Sequence, residues 1–225
     1  MDDSLGHVRI QRSLLLFAVL ALGDIIACGT APHLRVDADV LDKITIENKL
    51  RLFDAENELN IAIDARDQVI DEIAQIKDDV RRADKKREVA QRDVEVFESK
   101  GDGERVRLSE LRRAAATARI EYLDARLEWA RGRLDRQRRQ LIVAKARFEL
   151  AKARLVKKNN VPGASDIDLE DFEEQVKDYR TEVGETDEDI KEAEIEMKAR
   201  EENWIAQSKT LQEATGGALG SRWLD

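Results

Sequence analysis

Residues 115–130 read AATARIEYLDARLEWA. Steps of three and four join Ala116, Ile120, Leu123, Leu127 and Ala130, the spacing that sets side chains on one face of a helix. Beside that stripe runs a second one, Ala115, Ala118, Tyr122, Ala125 and Trp129. A helix with two apolar stripes needs two neighbours to cover them. The stretch therefore predicts the middle member of a three-helix arrangement. The first stripe continues through Leu134, Leu141, Ala144, Phe148, Ala151 and Leu155, the second through Val143, Ala146 and Leu150, which extends this helix over about residues 104–159.

Working outward, Gly101-Asp102-Gly103 supplies a tight reversal before the middle helix. Upstream lies a heptad seam, Leu52, Ala55, Leu59, Ala62, Val69, Ile73, Ile76, Val80, Ala83, Ala90 and Val94. It predicts a first helix over about 39–99, with Asp39 as its cap. Downstream, Asn159 to Ala164 contains proline and glycine and ends the middle helix. A third helix over about 166–215 is expected from Leu169, Phe172, Val176, Tyr179, Val183, Ile190, Ala193, Met197, Trp204 and Leu211, capped by Ser165 or Asp166 and stopped at Gly216-Gly217. Short connections between long helices make neighbours antiparallel. The expected fold is all-α, a long antiparallel three-helix coiled coil forming an extended rod.

Composition and charge agree with narrow seams rather than a thick core. Of 225 residues, 39% are charged and 4% aromatic. Disordered chains carry similar charge but lack sustained apolar periodicity. Residues 39–99 hold 17 acidic and 11 basic side chains (−6), residues 104–159 hold 7 and 17 (+10), and residues 166–215 hold 18 and 6 (−12). A basic helix between two acidic ones predicts pairing across both seams and a closed bundle. The net charge of −9 argues against a nucleic-acid partner, because phosphate affinity comes mainly from Lys and Arg.

The N-terminus has a different character. Residues 14–22, LLLFAVLAL, follow Arg9 and Arg12 and precede the lone cysteine, Cys28. A basic flank, a short oily run and small residues before a cleavage point have the shape of a secretory signal. With Asp24 interrupting it, the run falls short of the ~20 residues of a membrane-spanning helix. Ile25-Ile26-Ala27-Cys28 resembles the lipobox of bacterial lipoproteins. The resemblance covers this motif alone. It implies cleavage after Ala27, a covalent diacylglycerol and N-acyl lipid on Cys28, and attachment to the bacterial envelope. Gly29 after the cysteine resembles outer-membrane sorting, at the periplasmic face. The expected organisation is a signal peptide over 1–27, a lipidated N-terminus and linker over 28–38, the coiled coil over 39–215 and a flexible tail over 216–225.

No catalytic set is legible. The two histidines, His7 and His33, fall in the signal and the linker, so nucleophilic triads lack a base and histidine metal clusters lack ligands. Neither an enzyme, a small-molecule substrate, a metal nor a cofactor is expected. Two other features stand out. Arg66, Arg136, Arg139 and Thr186 fall at one level of the rod, near Gly132 and Gly184, as a polar layer that either fixes register or forms a hinge or docking point. In the tail, Arg222, Trp223 and Leu224 follow a Gly-Gly joint and form a candidate partner anchor, because Trp and Arg often dominate interfaces. The function expected is a membrane-tethered spacer, scaffold or adaptor acting on unidentified envelope proteins. The alternatives are a periplasmic holdase and an export-conduit subunit built from helical hairpins.

Overall fold

The computed structural model describes residues 31–217, and its regular elements are all helical. Two short helices, α1 (Ala38–Leu41) and α2 (Ile46–Lys49), precede a 3-10 turn at Leu50–Leu52. Three long helices follow: α3 (Phe53–Ser99), α4 (Gly103–Lys158) and α5 (Leu169–Ala214). At 56 residues and about 1.5 Å each, α4 is about 84 Å long.

The two stripes of α4 have the two neighbours they require. Helix α3 packs along one side and α5 along the other, both antiparallel to α4. The seams are those expected: α3 buries Val69, Ile73, Ile76, Ala83, Ala90 and Val94, and α4 buries Ala115, Ala116, Ala118, Leu123, Ala130, Leu141 and Ala144. Small side chains dominate the half near the 101–103 turn, so the helices there share a thin seam. The opposite end, the base, holds the largest apolar cluster, with Leu150, Leu155, Val156, Phe172 and Val176 at its centre.

The bundle is not closed. Helices α3 and α5 do not pack along one another, and α4 separates them. The expectation of closure came from facing charges, but those favour α4 against each flank, not one flank against the other. Both flanks are acidic, and their apolar stripes are already spent on α4. The ion pairs follow this division. From α4, Arg112 meets Asp93 at 3.8 Å, Arg133 meets Glu72 at 2.7 Å and Arg147 meets Glu58 at 3.1 Å on α3. On the other side Arg136 meets Asp187 at 3.1 Å and Arg154 meets Glu173 at 2.7 Å on α5.

Three boundaries differ from expectation. The first long helix begins at Phe53 rather than Asp39, and Asp39 lies inside α1 instead of capping. Thr45 and Asn48 put polar side chains into this stretch, and there tertiary contacts take over. Ile44 is buried, the Lys43 ammonium donates to the Pro162 carbonyl at 3.1 Å, and the Asn48 amide donates to Asn159 Oδ1 at 2.9 Å. Helix α5 is capped by Asp168, which accepts from the Glu170 N–H at 2.9 Å, while Ser165 spends its hydroxyl on Asp166. Finally, residues 31–38 are a packed strap rather than a free linker. The strap and the short helices add a third layer over the base, where Val36, Ile44 and Leu52 join the apolar cluster.

Candidate functional site

The base gathers the turn from α4 into α5 and the strap that crosses it. Its reversal needs left-handed backbone at Asn160 (φ 48°) and Gly163 (φ 96°), and Gly163 sits against Val40. Across this turn runs the strap, held by side chains that grip its backbone. Gln175 of α5 accepts from the Leu34 N–H at 2.8 Å through Oε1, and Glu149 of α4 accepts from the Val36 N–H at 3.0 Å. Glu149 is in turn paired with Lys152 at 2.7 Å, and His33 stacks on Tyr179 with ring centroids 6.4 Å apart. The chain is therefore fixed to the base from Leu34 onward, six residues after Cys28. Cys28 itself lies outside the described residues, as do Arg222, Trp223 and Leu224 of the tail.

At the far end, Gly216 (φ 57°) and Gly217 (φ 79°) close α5, with the Gly217 N–H donating to the Gln212 carbonyl at 3.0 Å. This places Gly217 near the 101–103 turn, at the opposite end of the rod from the strap.

The mid-rod residues do not form one network. Arg66 donates to its neighbour Asp67 at 2.7 Å and stays on α3. Arg136 lies 3.1 Å from Asp187, and Arg139 reaches Asp135 at 3.1 Å and the Glu182 carbonyl at 3.2 Å. Thr186 is buried and donates to the Val183 carbonyl at 2.8 Å, within its own helix. The level thus joins α4 to α5 through Arg136 and Arg139, with Arg66 apart. Both glycines sit in unbroken helix. A Cβ on Gly132 would meet Ile190 Cγ1 at 3.2 Å, so Gly132 marks a close approach of α5 to α4.

Sequence reasoning placed Tyr122 and Trp204 on the seams but missed their stacking, and it missed one further feature. Tyr122 and Trp204 stack nearly parallel, 7° between planes and 5.3 Å between centroids, with Arg119 4.1 Å over Trp204. Both rings are only half-buried, so they brace the α4–α5 seam at its edge rather than filling a core. The further feature follows from the open bundle. A groove of about 400 Å³ runs between α3 and α5, floored by Val143 and Ala144 and walled by Ile61, Ala62 and Val183. Arg147 and Arg180 rim it. Two separated seams on α4 were the only advance signal of such a groove.

Among the described residues, no helix is long and apolar enough to cross a membrane, and no three His, Cys, Asp or Glu side chains converge as metal ligands. Comparison with protein families, curated proteins and solved structures finds nothing that matches this chain.

Proposed function

We propose that this chain is a lipid-anchored bacterial envelope lipoprotein that serves as a spacer, scaffold or adaptor, tethered at the periplasmic face of the outer membrane. The observation that carries the reading is the separation of Leu34 and Gly217 at opposite ends of the rod. Leu34, six residues after the lipobox-like cysteine, is fixed to Gln175 at the base, whereas Gly217 follows the far end of α5. The 46 residues of α5 span about 69 Å at about 1.5 Å each. A tether at Cys28 would hold one end at a membrane while the rod presents its distal turn and tail to other envelope proteins. Such a protein acts by distance and surface, and the continuous ion-paired seams suit it to bear shape rather than to change it.

A second reading draws on the groove. Helical arms that hold an unfolded client need apolar surface between them, and Ile61, Val143 and Val183 offer some. Against it, both arms are paired to α4 along their length. Radiolabelled palmitate tests the anchored reading: label is expected in the wild type and absent from Cys28→Ala. Equal labelling of the two would end the lipoprotein assignment.

A further inference from the structure

Three of the most exposed large apolar residues of the described chain stand together at the base. Ile46, Leu50 and Phe53 are 80%, 68% and 67% exposed. They follow one another at steps of four and three along a continuous helical segment. The 3-10 turn at Leu50–Leu52 keeps Phe53 in line with Leu50, because residues three apart eclipse in that geometry. The opposite side of the segment is occupied: Leu52 is buried and Asn48 is bonded to Asn159. The triad therefore faces outward by construction, not through fraying.

Large apolar side chains that cluster on a surface call for an occupant. We infer that this triad is a membrane-contact face, seated in the lipid surface beside the tether. This rests on the lipid-anchored reading and adds a second contact to it. The position of the chain end argues for lipid. Six residues separate Cys28 from the fixed Leu34, and six extended residues span about 20 Å at most, against a rod of about 84 Å. An acylated Cys28 would thus keep a bilayer surface close to the base and far from the distal turn. The diacylglycerol and N-acyl chains of such a cysteine suffice for attachment, so the triad would set how the base lies on the lipid rather than whether it is held there. Lys43, Lys49 and Arg51 flank the triad, but Glu47 and Asp54 stand beside it too, so burial of the apolar side chains supplies the attraction.

Ile195 provides an internal control. It is 69% exposed, but it stands on the distal half of α5 with Lys191 and Lys198 as its same-face neighbours. The test places a photoreactive benzoylphenylalanine at position 50 or at position 195 of the full chain, in vesicles of phosphatidylethanolamine and phosphatidylglycerol. Each is paired with a version carrying Cys28→Ala, and flotation is scored before illumination. The expected result is that the chain with Cys28 floats with the vesicles and that lipid adducts at position 50 exceed those at 195 several-fold. Flotation with adducts equal at the two positions, or with position 50 crosslinked to a second copy of the chain, overturns the contact face while leaving the tether standing. Failure of the Cys28 chain to float overturns the tether and the contact face together.

Discussion

Glu72 on α3 lies between two arginines of α4, 2.7 Å from Arg133 and 3.3 Å from Arg126, and so joins two positions about two turns apart on the central helix to one point on its neighbour. Arg133 in turn lies 4.5 Å over the Trp129 ring. Carboxylate, guanidinium and indole together fix the α3–α4 register near mid-rod, beside the apolar cluster of Val69, Ile73, Ile76 and Ala130.

Removing Glu72 leaves two half-buried guanidinium groups facing each other without their carboxylate. Glu72→Ala is expected to destabilise the fold by about 1–2 kcal/mol, more than an ordinary surface pair contributes. For a chain of this size that is about 2–8 °C in Tm, measurable by thermal circular dichroism. The difference from wild type should shrink at 1 M salt, where the Debye length is about 3 Å.

Ser109 is fully buried in α4, and its hydroxyl finds no hydrogen-bond partner among the described residues. A buried polar group without a partner costs stability, and Ala is also the better helix former. Ser109→Ala should raise stability by about 0.5–2 kcal/mol, read as a shift in denaturant midpoint at unchanged slope. A loss of stability would mean that the hydroxyl is satisfied.

The two mid-rod glycines should respond differently. Gly184 has open space where a Cβ would go, so Gly184→Ala is expected to gain about 1 kcal/mol from helix propensity. Gly132 faces Ile190 at 3.2 Å, so Gly132→Ala should gain less, and Gly132→Leu should lose about 1–3 kcal/mol through overpacking. Equal gains from the two alanine variants would show that α5 does not approach α4 at that level.

Alkaline pH should weaken the α4–α5 seam. Burial, with the charge of Glu201 adding to it, pushes the Tyr122 phenol above its ordinary value of 10.0, although Arg126 and Arg119 pull it down. A raised acid pKa means that the folded state holds the proton more tightly. The stabilisation is complete below pH 10.0 and is lost as pH rises through the folded value. Comparing wild type with Tyr122→Phe by denaturation from pH 9 upward isolates this contribution, and the wild type is expected to fall more steeply.

Much of the fold was legible because its physics is periodic. The paired stripes of α4, the single seams of α3 and α5 and the Gly101-Asp102-Gly103 reversal are all set by local spacing, and charge named the partners. What was not legible is non-periodic. The strap over 31–38 has no repeat, and it is held by Gln175 and Glu149 gripping backbone N–H groups, a pairing between residues 141 and 113 positions apart that no local pattern announces. The break before Phe53 has the same origin, since Ile44 and Asn48 serve the base rather than a helix seam. Openness was misread because charge was summed for each helix. Which flanks touch depends on where the two stripes lie around α4, not on net charge. Among the candidate site residues, Arg136 and Arg139 do face α5, but Arg66 turns to Asp67 on its own helix.

The central claim is mechanical: α4 lies between two flanking helices in an extended rod that keeps the base and the distal end far apart. Small-angle X-ray scattering from the chain beginning at Gly29 tests it most directly. A rod of about 84 Å has a radius of gyration of about 25–28 Å, since a thin rod gives its length divided by the square root of twelve and the width adds a little. A skewed distance distribution with that radius is the expected result. A symmetric distribution near 17 Å, the radius of a compact domain of about this length, would contradict it.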